Sequence, residues 1–123
     1  MGNISTMSTV EDVHKIDAIN LDKETNDVVL NIFDHLDWTN EKAHIAALQE
    51  KILNYIKFVE SKEIEQVFPE SKGKKIKICV VAKFSVTGNA LKFIASITQT
   101  VTDAGLSLDH SFLKKLKVEQ PSS

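Results

Sequence analysis

The spacing of apolar residues changes several times along the chain, and each change marks an element. Residues 1–12 are rich in Ser, Thr and acids and show no sustained period, so they read as a mobile leader. His14–Leu21 has the composition of a strand. Val28–Phe33 is a denser one, rich in β-branched and aromatic residues. The polar run Asp22–Asp27 between them contains the Asn and Asp that tolerate positive φ, which predicts an antiparallel hairpin. Thr39 or Asn40 then serves as a helix N-cap, with Glu41 placed favourably in the first turn. Ile45, Leu48, Ile52, Tyr55, Ile56 and Val59 follow at helical spacings, with Leu53 and Phe58 widening the apolar face. Lys42, Gln49, Glu50, Lys51, Lys57 and Glu60 fall on the polar side. This helix is expected to end near Ser61, and Glu63–Phe68 to add a short helical turn that Pro69 stops.

Beyond the loop at 71–74 the period becomes two. Ile76, Ile78, Val80, Ala82 and Phe84 share one face of a strand, while Lys75, Lys77, Cys79, Val81 and Lys83 share the other. After Ser85–Asn89, a second long helix carries Ala90, Leu91, Ile94, Ile97, Val101 and Ala104 inward, with Gly105 at its C′ position. Leu106–Phe112 alternates again and reads as the last strand. The tail from Lys114 to Ser123 reads as frayed. The order β-β-α-β-α-β predicts an α+β two-layer sandwich: a four-stranded, mostly antiparallel sheet with two helices on one face. The expected organisation is a leader over 1–12, one domain over 13–113 and a tail over 114–123.

Composition narrows the function classes. The 123 residues are 42% hydrophobic and 26% charged, which fits a globular domain and excludes collagen-like, disordered and disulfide-scaffold chains. Acids number 17 against 15 bases, and every base is Lys. Arg is the residue that grips phosphates and reads guanine edges, so its complete absence with a net charge of −2 argues against a nucleic-acid partner. The single Cys79 allows no internal disulfide, which suits a reducing compartment. No apolar run approaches a membrane span, so no membrane partner is expected, and no secretory signal is visible. Met1-Gly2-Asn3-Ile4-Ser5-Thr6 fits the loose N-myristoylation pattern, but a native start at Met7 is the preferred reading.

The densest group of reactive side chains is Asp34, His35, Asp37, Glu41 and His44, next to Trp38. It lies where a strand ends and a helix begins, a place where functional groups collect. Glu41 and His44, three apart, share a helix face. Two readings stand. In one, the acids serve the helix N-terminus and Trp38 packs back onto the helix as a staple. In the other, Asp34, His35, Asp37 and His44 converge on a divalent metal, although no established ligand spacing is met. Cys79 as a nucleophile needs a His base, and His14 or His110 on a neighbouring strand could approach it.

Several phrases resemble a group of small bacterial proteins of unknown function. They are Asp22-Lys23-Glu24-Thr25, Val28-Val29-Leu30, Asp34-His35-Leu36-Asp37-Trp38, Leu48-Gln49-Glu50-Lys51, Phe58-Val59-Glu60-Ser61, Phe68-Pro69-Glu70 and Lys72-Gly73-Lys74-Lys75. The resemblance runs from about Val13 to Phe112 and implies a bacterial, cytoplasmic setting but no catalytic residue. The reading therefore leans away from an enzyme and expects no cofactor. It favours a protein-interaction module, an immunity-type inhibitor or accessory protein, that binds a protein partner or a second copy. The expected surface is Asp34, His35, Asp37, Trp38, Glu41, His44, Lys75, Lys77 and Lys83. A small metal-binding protein or metal-dependent enzyme built on the Asp34–His44 cluster is the alternative.

Overall fold

The hairpin forms where the sequence placed it. In the computed structural model, which describes residues 9–112, β1 (Ala18–Leu21) pairs antiparallel with β2 (Val28–Asp34). The turn is organised by Asp22, whose Oδ1 accepts from the amides of Glu24 and Thr25 while Asn26 takes φ 66°. Those two backbone donors hold the Asp22 carboxyl below its usual range. β1 is shorter than the predicted His14–Leu21. Past Ala18 the edge of β2 is taken by other groups: the Asp17 carboxylate accepts from the Phe33 amide, and Val10 N–H donates to the Phe33 carbonyl.

Helix α1 (Glu41–Glu60) follows, capped by the Asn40 side chain accepting from Ala43 N–H. α2 (Glu63–Val67) and a 3-10 turn (Pro69–Ser71) lead to β3 (Ile76–Ala82). α3 (Gly88–Asp103), capped by the Thr87 hydroxyl, then leads to β4 (Ser107–Phe112). Gly105 takes φ +86° directly after α3, the left-handed stop expected of it.

The sheet order is β1-β2-β3-β4, and two of its three pairings, β2 with β3 and β3 with β4, are parallel. The expected mostly antiparallel sheet is thereby corrected to a mixed one, and the expected two helices to three. The physical reason lies in the connections. Each contains a helix that carries the chain back across the sheet, so the next strand starts at the same end as the last. Helix α2 forms as a separate element because Lys62 adopts φ 68° and ends α1.

One core joins the layers. Leu30 and Ile32 of β2 and Ile78 and Val80 of β3 pack with Leu48, Ile52, Tyr55 and Ile56 of α1 and with Ile97 and Val101 of α3. The alternate sheet residues Phe33, Cys79 and Val81 are half-buried and lie outside that cluster. The sheet therefore has one covered face and one open face. Residues 9–12, assigned by sequence to the leader, pack against the domain through Val10, which is fully buried. The Met1 and Met7 start readings and the tail over 114–123 lie outside the described residues. Among the described residues, no helix is long and apolar enough to cross a membrane.

Candidate functional site

Alternation along β2 turns Asp34 toward the helices, in line with Leu30 and Ile32, and delivers it buried at the C-terminal end of the strand. His44 is four residues beyond the Asn40 cap and faces the same interior at 2% exposure. Its Nε2 lies 2.7 Å from both oxygens of Asp34, and its Nδ1 lies 3.0 Å from the Asp37 carbonyl. A carbonyl can only accept, so Nδ1 carries a proton and donates to it. One further proton sits between Nε2 and the carboxylate. Both ring nitrogens are thus engaged, and neither offers a lone pair to a metal or a substrate.

Trp38 stacks on the imidazole with ring centroids 3.6 Å apart and planes 19° from parallel. It packs onto the first turn of α1 as a staple residue would. Its buried Nε1 has no hydrogen-bond partner among the described residues.

The other members of the predicted cluster go elsewhere. His35 is exposed on the opposite side of β2 and sits 3.4 Å from Glu11. The Asp37 carboxylate accepts from Thr39 N–H 3.0 Å away, which holds its carboxyl below the usual range. Among the described residues, no hydrogen bond or ion pair joins Glu41 to His44. It accepts from the Thr87 hydroxyl and, at 3.1 Å, from the Asn89 amide, and so joins the N-termini of α1 and α3. Those bonds, Thr87's first, lower the Glu41 carboxyl. Only Asp34 and His44, with Trp38 beside them, are brought together. Among the described residues no group of three His, Cys, Asp or Glu side chains is placed to hold a metal ion.

His110 of β4 is the member that sequence reasoning left out of this corner. It is in register with Val80, which puts it on the helix side of the sheet near Asp34 and His44. Burial pulls its imidazole below the ordinary value, the Asp34 charge pushes it back up, and His44 adds to the lowering. Cys79, one residue away in the ladder, points to the open face, so the Cys–His pairing with His110 is not made. Burial raises the Cys79 thiol, which makes it a poorer nucleophile.

The lysine stripe is present in part. Lys77 and Lys83 flank Val81 on the open face, and Lys77 lies 3.7 Å from Asp109 of β4. Lys75 precedes the strand and is exposed. Phe33, Asp34, His35, Val81 and Lys83 line a shallow hollow of about 120 Å³ on this side. Phe84, expected on the inward face, lies past the end of β3 and is 40% exposed, with the Lys83 ammonium 5.7 Å from its ring centroid.

A second charged node was absent from the sequence reading. Lys51, assigned to the polar side of α1, is fully buried. Its ammonium donates to the Thr9 and Asp12 carbonyls at 2.8 and 2.6 Å and to Asp17 Oδ1 at 2.7 Å. Three donors meet three acceptors. Beside it the Tyr55 hydroxyl donates to the Asn31 carbonyl and accepts from Asp17 N–H. Desolvation, the largest cause, drives the Tyr55 phenol well above its usual range. A signal for this node did exist. His44, Leu48, Lys51, Tyr55 and Phe58 follow one another at steps of four and three, so Lys51 occupies a core position of the helix stripe.

A four-stranded mixed sheet covered on one face by helices, open on the other and clasped by two buried polar nodes, Lys51–Asp17 and His44–Asp34, defines a small two-layer α+β domain. Residues 7–114 match the family of unknown function DUF6572, and the chain belongs to that family. No curated protein and no solved structure matches the chain.

Proposed function

We propose that this chain is a non-enzymatic protein-interaction module of the bacterial cytoplasm, an immunity-type inhibitor or accessory protein, that docks a partner on the open face of its sheet. The observation that carries the reading is the split between the two sheet faces. One is consumed by the core, while the other presents Phe33 and Val81 around a hollow rimmed by His35 and Lys83. Among the described residues Lys83 has no carboxylate within ion-pair distance, and Phe84 beside it is exposed. That combination fits a protein partner offering an apolar side chain flanked by carboxylates. The engagement of Asp34 and His44 with each other supports the non-enzymatic side of the reading.

The test is affinity capture from the native host with four baits: wild type, Val81→Asp, Lys83→Glu and, as a control on the outer surface of α3, Lys92→Glu. The proposal expects one stoichiometric partner held by wild type and Lys92→Glu and lost by the other two, with binding that weakens as salt rises. Equal capture by all four baits overturns it, as does recovery of no partner. A stable dimer of the chain alone, broken by Lys83→Glu, also overturns it, by giving the face to a second copy.

A further inference from the structure

At the opposite end of α1 from the Asp34–His44 corner lies a cavity of about 350 Å³, within the range of small-ligand sites. Its walls are the segment Val13–Ile16 on one side and Asn54, Lys57, Phe58, Ser61 and Glu63 on the other, with Tyr55 at the base. Tyr55 and Phe58 are buried beneath it, and the half-buried Val13 and Ile16 supply the apolar surface that a guest can reach, among polar groups.

The wall is fixed in place. Lys51 holds Thr9, Asp12 and Asp17, and the Asn54 amide donates to the Val13 carbonyl at 2.8 Å. The Tyr55 hydroxyl is committed to Asn31 and Asp17, which fixes the packing beneath the cavity.

The rim carries His14, Lys15 and Lys57, all exposed, against the single acid Glu63. The C-terminal end of α1 adds roughly half a negative charge at this corner. Two lysines outweigh Glu63 and the helix end together, leaving about half a positive charge before His14 is counted. The Asn54 amide also reaches His14 Nδ1 at 3.4 Å. With that nitrogen accepting, the proton resides on Nε2, where it can be donated to a guest.

We propose that this cavity binds a small organic anion: an aromatic or branched apolar body lying against Val13 and Ile16, with its carboxylate or phosphate at Lys15, Lys57 and His14. The site is separate from the sheet face and does not depend on the docking reading.

Three probes of one shape test it by amide NMR on the full chain: benzoate, phenyl phosphate and the neutral benzamide. The proposal expects saturable shifts of the amides of 13–16 and 54–61 with either anion and weaker binding of benzamide. The tighter of the two anions identifies the headgroup. Lys57→Gln, at an exposed position that leaves the fold intact, should weaken the anions by about two- to fivefold, the scale of one exposed charge contact. Lys92→Gln should change nothing. Equal binding of benzamide, shifts that map elsewhere, shifts that grow without saturating, or anion binding indifferent to Lys57→Gln each overturn the proposal.

Discussion

The two buried charged nodes of α1 are built alike and used at opposite ends of one task. At Lys51 a cation reaches from the helix to two backbone carbonyls and the Asp17 carboxylate, and so ties the segment preceding β1 to the domain. At His44 an imidazole reaches from the first turn of the same helix to Asp34 and the Asp37 carbonyl, and so ties the loop after β2. Lys51 anchors through an ammonium that fills every donor position. His44 anchors through a ring with both nitrogens engaged and an aromatic lid, Trp38. The difference teaches that a cluster of acids and histidines in sequence is a poorer guide to function than a single charge placed on an apolar stripe is to structure. The conspicuous cluster mostly disperses, whereas the inconspicuous lysine is the most completely bonded side chain of the pair.

That comparison can be broken at several points. The largest effect is expected for Lys51→Ala. It leaves Asp17 buried without this ammonium and releases the Thr9 and Asp12 carbonyls, so a loss of about 5 kcal/mol in denaturant unfolding is expected, the upper end for a broken buried pair. Since small domains hold only about 5–15 kcal/mol in total, the variant should sit near its unfolding threshold. Pairing Lys51→Met with Asp17→Asn removes both charges and should recover part of the loss. If the double variant is no more stable than Lys51→Ala, electrostatic compensation is not what the node provides.

His44→Ala comes next, at about 3 kcal/mol, since Asp34 then stays buried without its imidazole. A loss below about 0.5 kcal/mol, the scale of an ordinary surface substitution, would show that water already serves that carboxylate. Tyr55→Phe keeps the ring and removes only the hydroxyl. The Asn31 carbonyl and the Asp17 amide lose their shared partner, for an expected cost of about 1–2 kcal/mol.

The smallest effect is a pH dependence at the His110 end of the Asp34–His44 corner. Burial lowers the His110 imidazole in the folded state, so the unfolded chain binds the proton more readily. The stability it contributes is fully present above the unfolded value of about 6.5 and is lost as the pH falls from there through the folded value. Unfolding curves of wild type and His110→Gln should therefore differ in pH slope below about pH 6.5 and run parallel above it. Parallel curves throughout would place His110 in water.

Local pattern carried the elements well, because their causes are local. The apolar spacing between Ile45 and Val59 predicted α1 within a residue or two of Glu41–Glu60, and Asn40 and Gly105 act as the cap and stop their chemistry implies. The hairpin at Asp22–Asp27 formed for the same reason. Strand direction was not local: nothing in the alternation of Ile76–Ala82 distinguishes a parallel neighbour from an antiparallel one. The information lay instead in the helices between the strands. The site was less legible still. Asp34 and His44 stand out in the sequence, but whether they face each other, a metal or water depends on Trp38 and the Asp37 carbonyl closing around the ring. His110 belongs to that corner only because β4 lies two strands away from Asp34, a relation no spacing records.

The proposed division of labour has the Asp34–His44 clasp hold the fold and the open face around Lys83 bind the partner. The most direct measurement compares His44→Gln and Lys83→Glu, recording on one preparation of each both the unfolding midpoint and the affinity for the partner recovered from the host. The account predicts that His44→Gln lowers the midpoint yet binds normally while folded, and that Lys83→Glu keeps the midpoint yet loses the partner. Partner affinity lost by folded His44→Gln, or kept by Lys83→Glu, would contradict it.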